Sequence, residues 1–155
     1  MGQPVHIPNV AAISDYIGVT MGPSRWVEVT QERIQAFADA TGDQQWIHTN
    51  PERAHRESPF GGPIAHGYLT LSLAPPLIDE LFLVDELSMI VNVGIEKMRL
   101  QEPVHAGQRI RLSSEFRKVR MLPSGAARTS LHCVFDLEDA EKPACVCDAV
   151  FLYFP

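Results

Sequence analysis

The sequence predicts an α+β fold, with helices first and an antiparallel sheet after them. Three observations carry that reading. A helix-period segment with clear end signals occupies residues 31–41. A long apolar run, 68–84, follows a loop rich in glycine and proline. Beyond it, four segments carry the period-two alternation of strands. Runs of helix followed by runs of strand indicate α+β. One buried helix ahead of an antiparallel meander suggests a sheet wrapped around that helix.

Residues 1–24 hold three prolines and no strong period, which predicts an irregular or partly helical N-terminal arm. "SRWVEVT", 24–30, alternates and reads as a short strand or extended lead-in. Thr30 is a good N-cap, since its hydroxyl can accept a first-turn backbone N–H. Val29 and Ile34 are spaced as a hydrophobic staple around it. Ile34, Phe37, Ala38 and Thr41 then share one helix face, and Gly42 is a natural stop. Asn50 as cap and Pro51 in the first turn predict a short helix over 51–57. "SPFGGPIAHG", 58–67, is loop chemistry within a long connection, and such a connection in a compact domain is more often functional than decorative.

From Gly67 the chain reads "YLTLSLAPPLIDELFLV", nearly apolar all round, as a buried central helix would be. Pro75 and Pro76 interrupt it and should kink it or split it in two. Strands are predicted within 88–100, 108–122, 127–138 and 143–154. No internal repeat or polar linker divides the chain, so a single domain over 1–155 is expected.

Composition excludes several functions. The chain has 155 residues, 45% of them apolar, and a net charge of −6. Nucleic-acid and membrane-surface binding both call for a basic face that this balance does not offer. No apolar run approaches the ~20 residues needed to span a bilayer. The N-terminus lacks the charged and apolar blocks of a signal peptide, and Gly2 is followed by His6 where myristoylation requires Ser or Thr. Cys133, Cys145 and Cys147 are an odd set without a secretion signal, which predicts reduced, buried thiols and a cytoplasmic protein.

The chemistry concentrates in "FADATGDQQWIHTNPERA", 37–54. The helix ends at Gly42, so Asp43 enters a loop that can turn back toward His48. A carboxylate beside an imidazole can hold one water, the imidazole working near neutral pH. The same two residues also read as polar trim of a turn. In "GGPIAHGY", 61–68, Gly67 opens the central helix, where backbone N–H groups lack internal partners and carry the positive end of the dipole. A substrate carbonyl could approach such an N–H closely. A merely flexible helix entry fits the local chemistry equally well.

Taken together, these two stretches resemble the MaoC-like dehydratases, the (R)-specific enoyl-CoA hydratases, and in particular their NodN-like bacterial branch. The resemblance covers roughly residues 20–155. It implies a hotdog fold, an antiparallel sheet wrapped around one long helix, commonly as a homodimer. It implies hydration of a trans-2-enoyl-CoA to a (R)-3-hydroxyacyl-CoA, or the reverse. Asp43 and His48 match the family's catalytic pair, and Gly67 matches the glycine whose N–H polarises the thioester carbonyl. No cofactor and no metal are expected; the substrate is an acyl-CoA or acyl-carrier-protein thioester.

Departures stand beside the matches. The commoner pattern is Asp-x-Asn-Pro-x-His, whereas this chain has Gln45 and Trp46 in the middle. Gln45 can keep an amide for the substrate, and Trp46 is a candidate for the acyl pocket or for core packing. The serine of some family sites falls near Pro75 here, leaving Ser72 as the closest hydroxyl. His66 is a candidate substrate contact and, more simply, a structural histidine. Ile64, Tyr68, Leu69 and Leu73 are candidates for the acyl pocket, although their spacing makes them core residues first. Several of Lys97, Arg99, Arg109, Arg111, Arg117, Lys118 and Arg120 are candidates for CoA phosphates, against the default of a solvated sheet face. A hotdog thioesterase and a non-catalytic acyl-thioester binder are the alternative functions.

Overall fold

The computed structural model describes residues 3–155, so Met1 and Gly2 of the myristoylation test lie outside the described residues. In chain order the elements are β1 (Val5–Ile7), a 3₁₀ segment (Ala11–Tyr16), β2 (Thr20–Met21), β3 (Val27–Glu28), α1 (Gln31–Thr41), α2 (Trp46–Thr49), α3 (Pro51–Glu57), α4 (Gly67–Ser72), α5 (Ala74–Ile78), β4 (Phe82–Val84), β5 (Met89–Leu100), β6 (Arg109–Met121), β7 (Ala127–Leu137) and β8 (Cys145–Phe154).

The predicted caps are made. The Thr30 hydroxyl accepts from Arg33 N–H at 3.2 Å, and Gly42 closes α1 in the left-handed conformation at φ 80°. Asn50 caps α3 through Arg53 N–H at 2.9 Å. β7 and β8 obey their alternation, and β6 does so up to Phe116. On β7, Ala127, Thr129, Leu131, Cys133, Phe135 and Leu137 all face inward and are buried. On β8, Cys145, Cys147, Ala149, Phe151 and Tyr153 do the same. Leu77, Ile78, Leu81 and Phe82 belong to the same core cluster. All three cysteines are free and buried.

The sheet runs β2–β6–β7–β8–β5, with β3 also pairing β6. The long pairs are antiparallel. A simple meander is therefore corrected: β5 crosses to the far edge and pairs β8 rather than β6. The connection after Leu100 spans the sheet end, where Gln101 N–H bonds Ala144 O at 3.0 Å. β5 leaves an apolar edge in solvent, with Met89, Ile90, Val91, Val93 and Ile95 all exposed.

The N-terminal arm is partly helical, through its 3₁₀ segment, and it also pairs: β1 lies parallel to β4, Val5 opposite Phe82, and Ile7, Val10 and Ile13 are buried. One further expectation is corrected. No long central helix forms over 68–84. The run is divided into α4, α5 and β4, because Pro75 and Pro76 have no N–H for the carbonyls of Leu71 and Ser72. The helix breaks at Leu73, whose N–H tightens onto Thr70 O at 3.3 Å. Among the described residues, no helix is long and apolar enough to cross a membrane.

Candidate active site

Asp43 leaves α1 immediately after its glycine cap, and α2 brings His48 back within four intervening residues. His48 is buried at 7% exposure, and its Nδ1–H donates to Ile64 O at 2.6 Å. A carbonyl only accepts, so that bond places the proton on Nδ1 and leaves Nε2 with a free lone pair. Burial, ahead of every other influence, holds His48 below the ordinary imidazole pKa; the Ile64 carbonyl and Asp43 pull it back up, and neighbouring His66 pushes it down.

His66 is the residue that ties the pair together. Its ring stacks on His48, centroids 3.9 Å apart and planes at 28°. Phe37 of α1 also packs against the His66 ring, with centroids 5.0 Å apart and planes tilted at 51°. His66 Nε2–H donates to the Asp43 backbone carbonyl at 3.0 Å, and Asp43 Oδ2 lies 3.9 Å from the same nitrogen. The ring is 3% exposed, and among the described residues its Nδ1 has no partner. The Asp43 side chain remains 51% exposed. One Asp43 oxygen and one ring nitrogen from each histidine lie within 4.8 Å of one another. Two hydrogen bonds of about 2.8 Å through one water span such a gap.

Gly67 is the first residue of α4, and no side chain caps that helix start. Its φ is not left-handed, so backbone conformation does not call for glycine here. Space does. A Cβ at Gly67 would overlap Leu100 Cδ1 and lie 3.1 and 3.2 Å from Leu100 Cδ2 and Cγ. Gly67, His48, Ile64, Thr70, Leu100 and Gln101 line one cleft of about 330 Å³. Asp43 is not among its walls.

The other sequence candidates distribute unevenly. Ile64 both lines the cleft and orients His48. Gln45 is exposed, and what it contributes is backbone: its carbonyl accepts from His48 N–H at 2.9 Å. Trp46 lines neither the cleft nor the core; the Arg53 guanidinium lies over its ring at 4.3 Å. Tyr68 points away, 70% exposed. Leu69 packs in the core, with Leu73 against it. Ser72 Oγ–H donates back to Tyr68 O at 2.6 Å and faces a separate apolar concavity with Leu71, Ala74, Ile95 and Phe151. Thr70 is the cleft hydroxyl that sequence reading missed. Its signal was present, one helical turn after Gly67. Leu100 had none, since its place depends on how β5 meets α4.

Asp43, His48 and His66 are also the residues that could hold a metal ion. The stacked rings argue against a shared one: an ion in the plane of one imidazole lies out of the plane of the other. One nitrogen of each ring is already committed to a carbonyl.

A family described as "MaoC like domain" matches residues 13–129. The 3-hydroxyacyl-thioester dehydratase Z of Mycobacterium tuberculosis is 40% identical over 145 residues, 94% of this chain and 95% of that protein. Nodulation protein N of Rhizobium leguminosarum bv. viciae is 37% identical over 141 residues, 90% of this chain and 88% of that one. The fold matches an R-hydratase from Pseudomonas aeruginosa with a TM-score of 0.71 at 21% identity, over 99% of this chain and 89% of that one.

Proposed function

This chain belongs to the MaoC-like dehydratase family, and from that premise we propose that it adds water to a trans-2-enoyl thioester to give the (R)-3-hydroxyacyl thioester, or runs the reverse dehydration. One observation carries the reading. An Asp43 oxygen and a His48 nitrogen stand within one water's reach, and His48 shares its cleft with Gly67.

In this reading the Asp43 carboxylate accepts one water proton in a hydrogen bond and orients the oxygen toward C3. His48 Nε2, neutral because its ring is buried, takes the other proton as the C3–O bond forms. The π electrons move onto the thioester oxygen, where the Gly67 N–H stabilises the developing charge. Collapse of the enolate draws the proton from His48 to C2 on the same face. Hydrogen and hydroxyl have then been added, and the imidazole is neutral again. Phe60, Ile64, Leu100 and Val104 supply apolar walls for the acyl chain. No step requires a metal or redox cofactor.

The working unit in this reading is one MaoC-like domain over 1–155, assembled as a homodimer. The physical motive is β5, a long edge strand with exposed apolar side chains on an otherwise paired sheet.

The test is incubation with crotonyl-CoA and longer enoyl-CoAs, following enoyl absorbance and free thiol together. Loss of absorbance without thiol release is expected. Thiol release would make the protein a thioesterase, and neither signal at any chain length would make it a binder. Asp43→Asn and His48→Gln should each lower kcat by about 10²–10⁴ while the protein stays folded. Full activity in either would remove that residue from the mechanism.

A further inference from the structure

The outer face of the sheet carries cations in an arrangement that costs the folded protein energy. Arg120 and Arg128 sit directly opposite each other on β6 and β7, with Lys118 opposite Ser130 one step along. Like charges directly opposite on neighbouring strands are destabilising. Among the described residues none of the three has a carboxylate within 4.0 Å. They line one concavity of about 540 Å³ in which Glu96 is the single acid, on a chain whose net charge is −6.

A backbone irregularity puts two of these cations there. Ile110, Leu112, Ser114 and Phe116 of β6 face inward. Unbroken alternation would turn Lys118 and Arg120 into the core. The register shift between Phe116 and Lys118 inserts one residue and turns both outward instead.

The charged surface continues to the catalytic cleft. A second concavity of about 510 Å³ shares Glu96, Lys118 and Ser130 with the first and extends to Lys97 and Val146. Arg99 is directly opposite Val146, and the next pair along is Leu100 with Cys145. Leu100, Gln101 and Ala144 are walls of the cleft. From Val150 to Ala144 along β8 is about 20 Å at ~3.4 Å per residue.

The geometry points to this outer face as the docking surface for an acidic acyl carrier protein, which would deliver its thioester over the β5–β8 rim into the cleft. The inference rests on the hydratase reading and names the carrier. The surface is broad, spanning four strands and about 15 Å at ~4.8 Å per strand. Neither concavity has a Phe, Tyr or Trp wall on which an adenine could stack, and the one imidazole, His132, is already bonded to Asp148 at 2.7 Å. It therefore suits an acidic protein face better than the nucleotide of CoA.

The test compares wild type with Lys118→Glu/Arg120→Glu/Arg128→Glu on three substrates: crotonyl carrier protein, crotonyl-CoA and crotonyl-pantetheine. Binding of fluorescently labelled apo carrier is measured alongside, and circular dichroism checks the fold. Expected are a fall of about tenfold or more in kcat/KM for the carrier substrate, with the other two unchanged. Carrier binding should weaken alike, and the wild type's carrier rate should drop with added salt. Three results overturn the inference: no change with carrier, an equal fall with crotonyl-CoA that spares crotonyl-pantetheine, or a wild type that uses CoA and ignores carrier. Inactivity on all three substrates would overturn the hydratase reading separately, and the binding measurement would still decide the surface.

Discussion

Gly67→Ala separates two reasons for having glycine at the start of α4. The three atoms nearest the new Cβ would all belong to Leu100, with Cδ1 overlapping and Cδ2 and Cγ at 3.1 and 3.2 Å. Leu100 is 56% exposed, so its side chain can swing aside. An off-rotamer χ costs about 0.5–1.5 kcal/mol, and alanine's better helix propensity offsets up to ~1 kcal/mol of that. The net is within about 1 kcal/mol, a Tm change of roughly 2–4 °C. The kinetic expectation is far larger. If the Cβ keeps the thioester oxygen from the Gly67 N–H, the loss is that of an oxyanion donor, about 10²–10³ in kcat or 2.7–4 kcal/mol. The assay is hydration of crotonyl-CoA by the single variant, by Leu100→Ala, and by the double variant. Leu100→Ala alone should remain active, and adding it to Gly67→Ala should restore stability without restoring rate. A double variant within about tenfold of Leu100→Ala, a difference of 1.4 kcal/mol, would refute the reasoning. Glycine would then be present for Leu100's sake and not for the substrate's.

Other outcomes follow from the same geometry. Burial depresses the His48 pKa, so the acid limb of kcat/KM should fall at a pH below the ordinary imidazole value of about 6.5. The unfolded chain binds that proton more readily than the native one. His48's contribution to stability is thus intact above about 6.5 and is lost as pH falls through its native value, and His48→Gln should flatten that part of a stability-versus-pH curve. Hydrogen bonding with Cys147 and burial both hold the Cys133 and Cys145 thiols above their ordinary range; a thiol reagent should find neither of these two in the native protein and all three cysteines in denaturant. By light scattering the wild type should have the mass of the proposed homodimer and Val93→Lys, on exposed β5, that of a monomer; a monomeric wild type would remove the dimer, and a dimeric variant would place the subunit contact elsewhere.

Where local chemistry decides structure, the sequence was legible. Thr30, Gly42, Asn50 and Pro51 mark α1 and α3 because caps are made within a few residues of themselves. The long strands were legible because stretches of each alternate in sequence, and on β7 and β8 that alternation is the buried face. Non-local pairing was not. Phe82–Val84 continues an apolar run without a break, and only its pairing with Val5–Ile7 makes it a strand. The same limit hid how the candidate site closes up. Spacing left Asp43 and His48 readable as turn residues until the family resemblance was added, and His66 was named only as a candidate contact; its stacking on His48 and its bond to the Asp43 carbonyl come from a loop fold that spacing does not encode. Trp46 misled for a related reason: a large ring reads as apolar surface until a cation is seen lying on it.

The loop that does this is tied down on both sides by backbone hydrogen bonds, and these assemble the candidate site. Ile64 N–H bonds Ile47 O at 3.1 Å, Ala65 N–H bonds Val104 O at 2.7 Å, and Ala106 N–H bonds Pro63 O at 3.0 Å. One extended stretch is thereby stitched to α2 on one side and to the connection after β5 on the other. Each functional group then hangs from it. The Ile64 carbonyl sets the tautomer of His48, His66 pins the Asp43 backbone, and Gly67 follows with its N–H uncapped. The proposed base, the proposed water-holding carboxylate and the proposed oxyanion donor are therefore placed by one segment, so a shift of that segment moves all three together. A catalytic geometry that must hold reacting atoms to within a fraction of an ångström is better served by such a common anchor than by three independent side chains. The prolines and glycines of 58–67 fit that role, since they let the stretch turn sharply and leave its remaining N–H and carbonyl groups to be spent on the site.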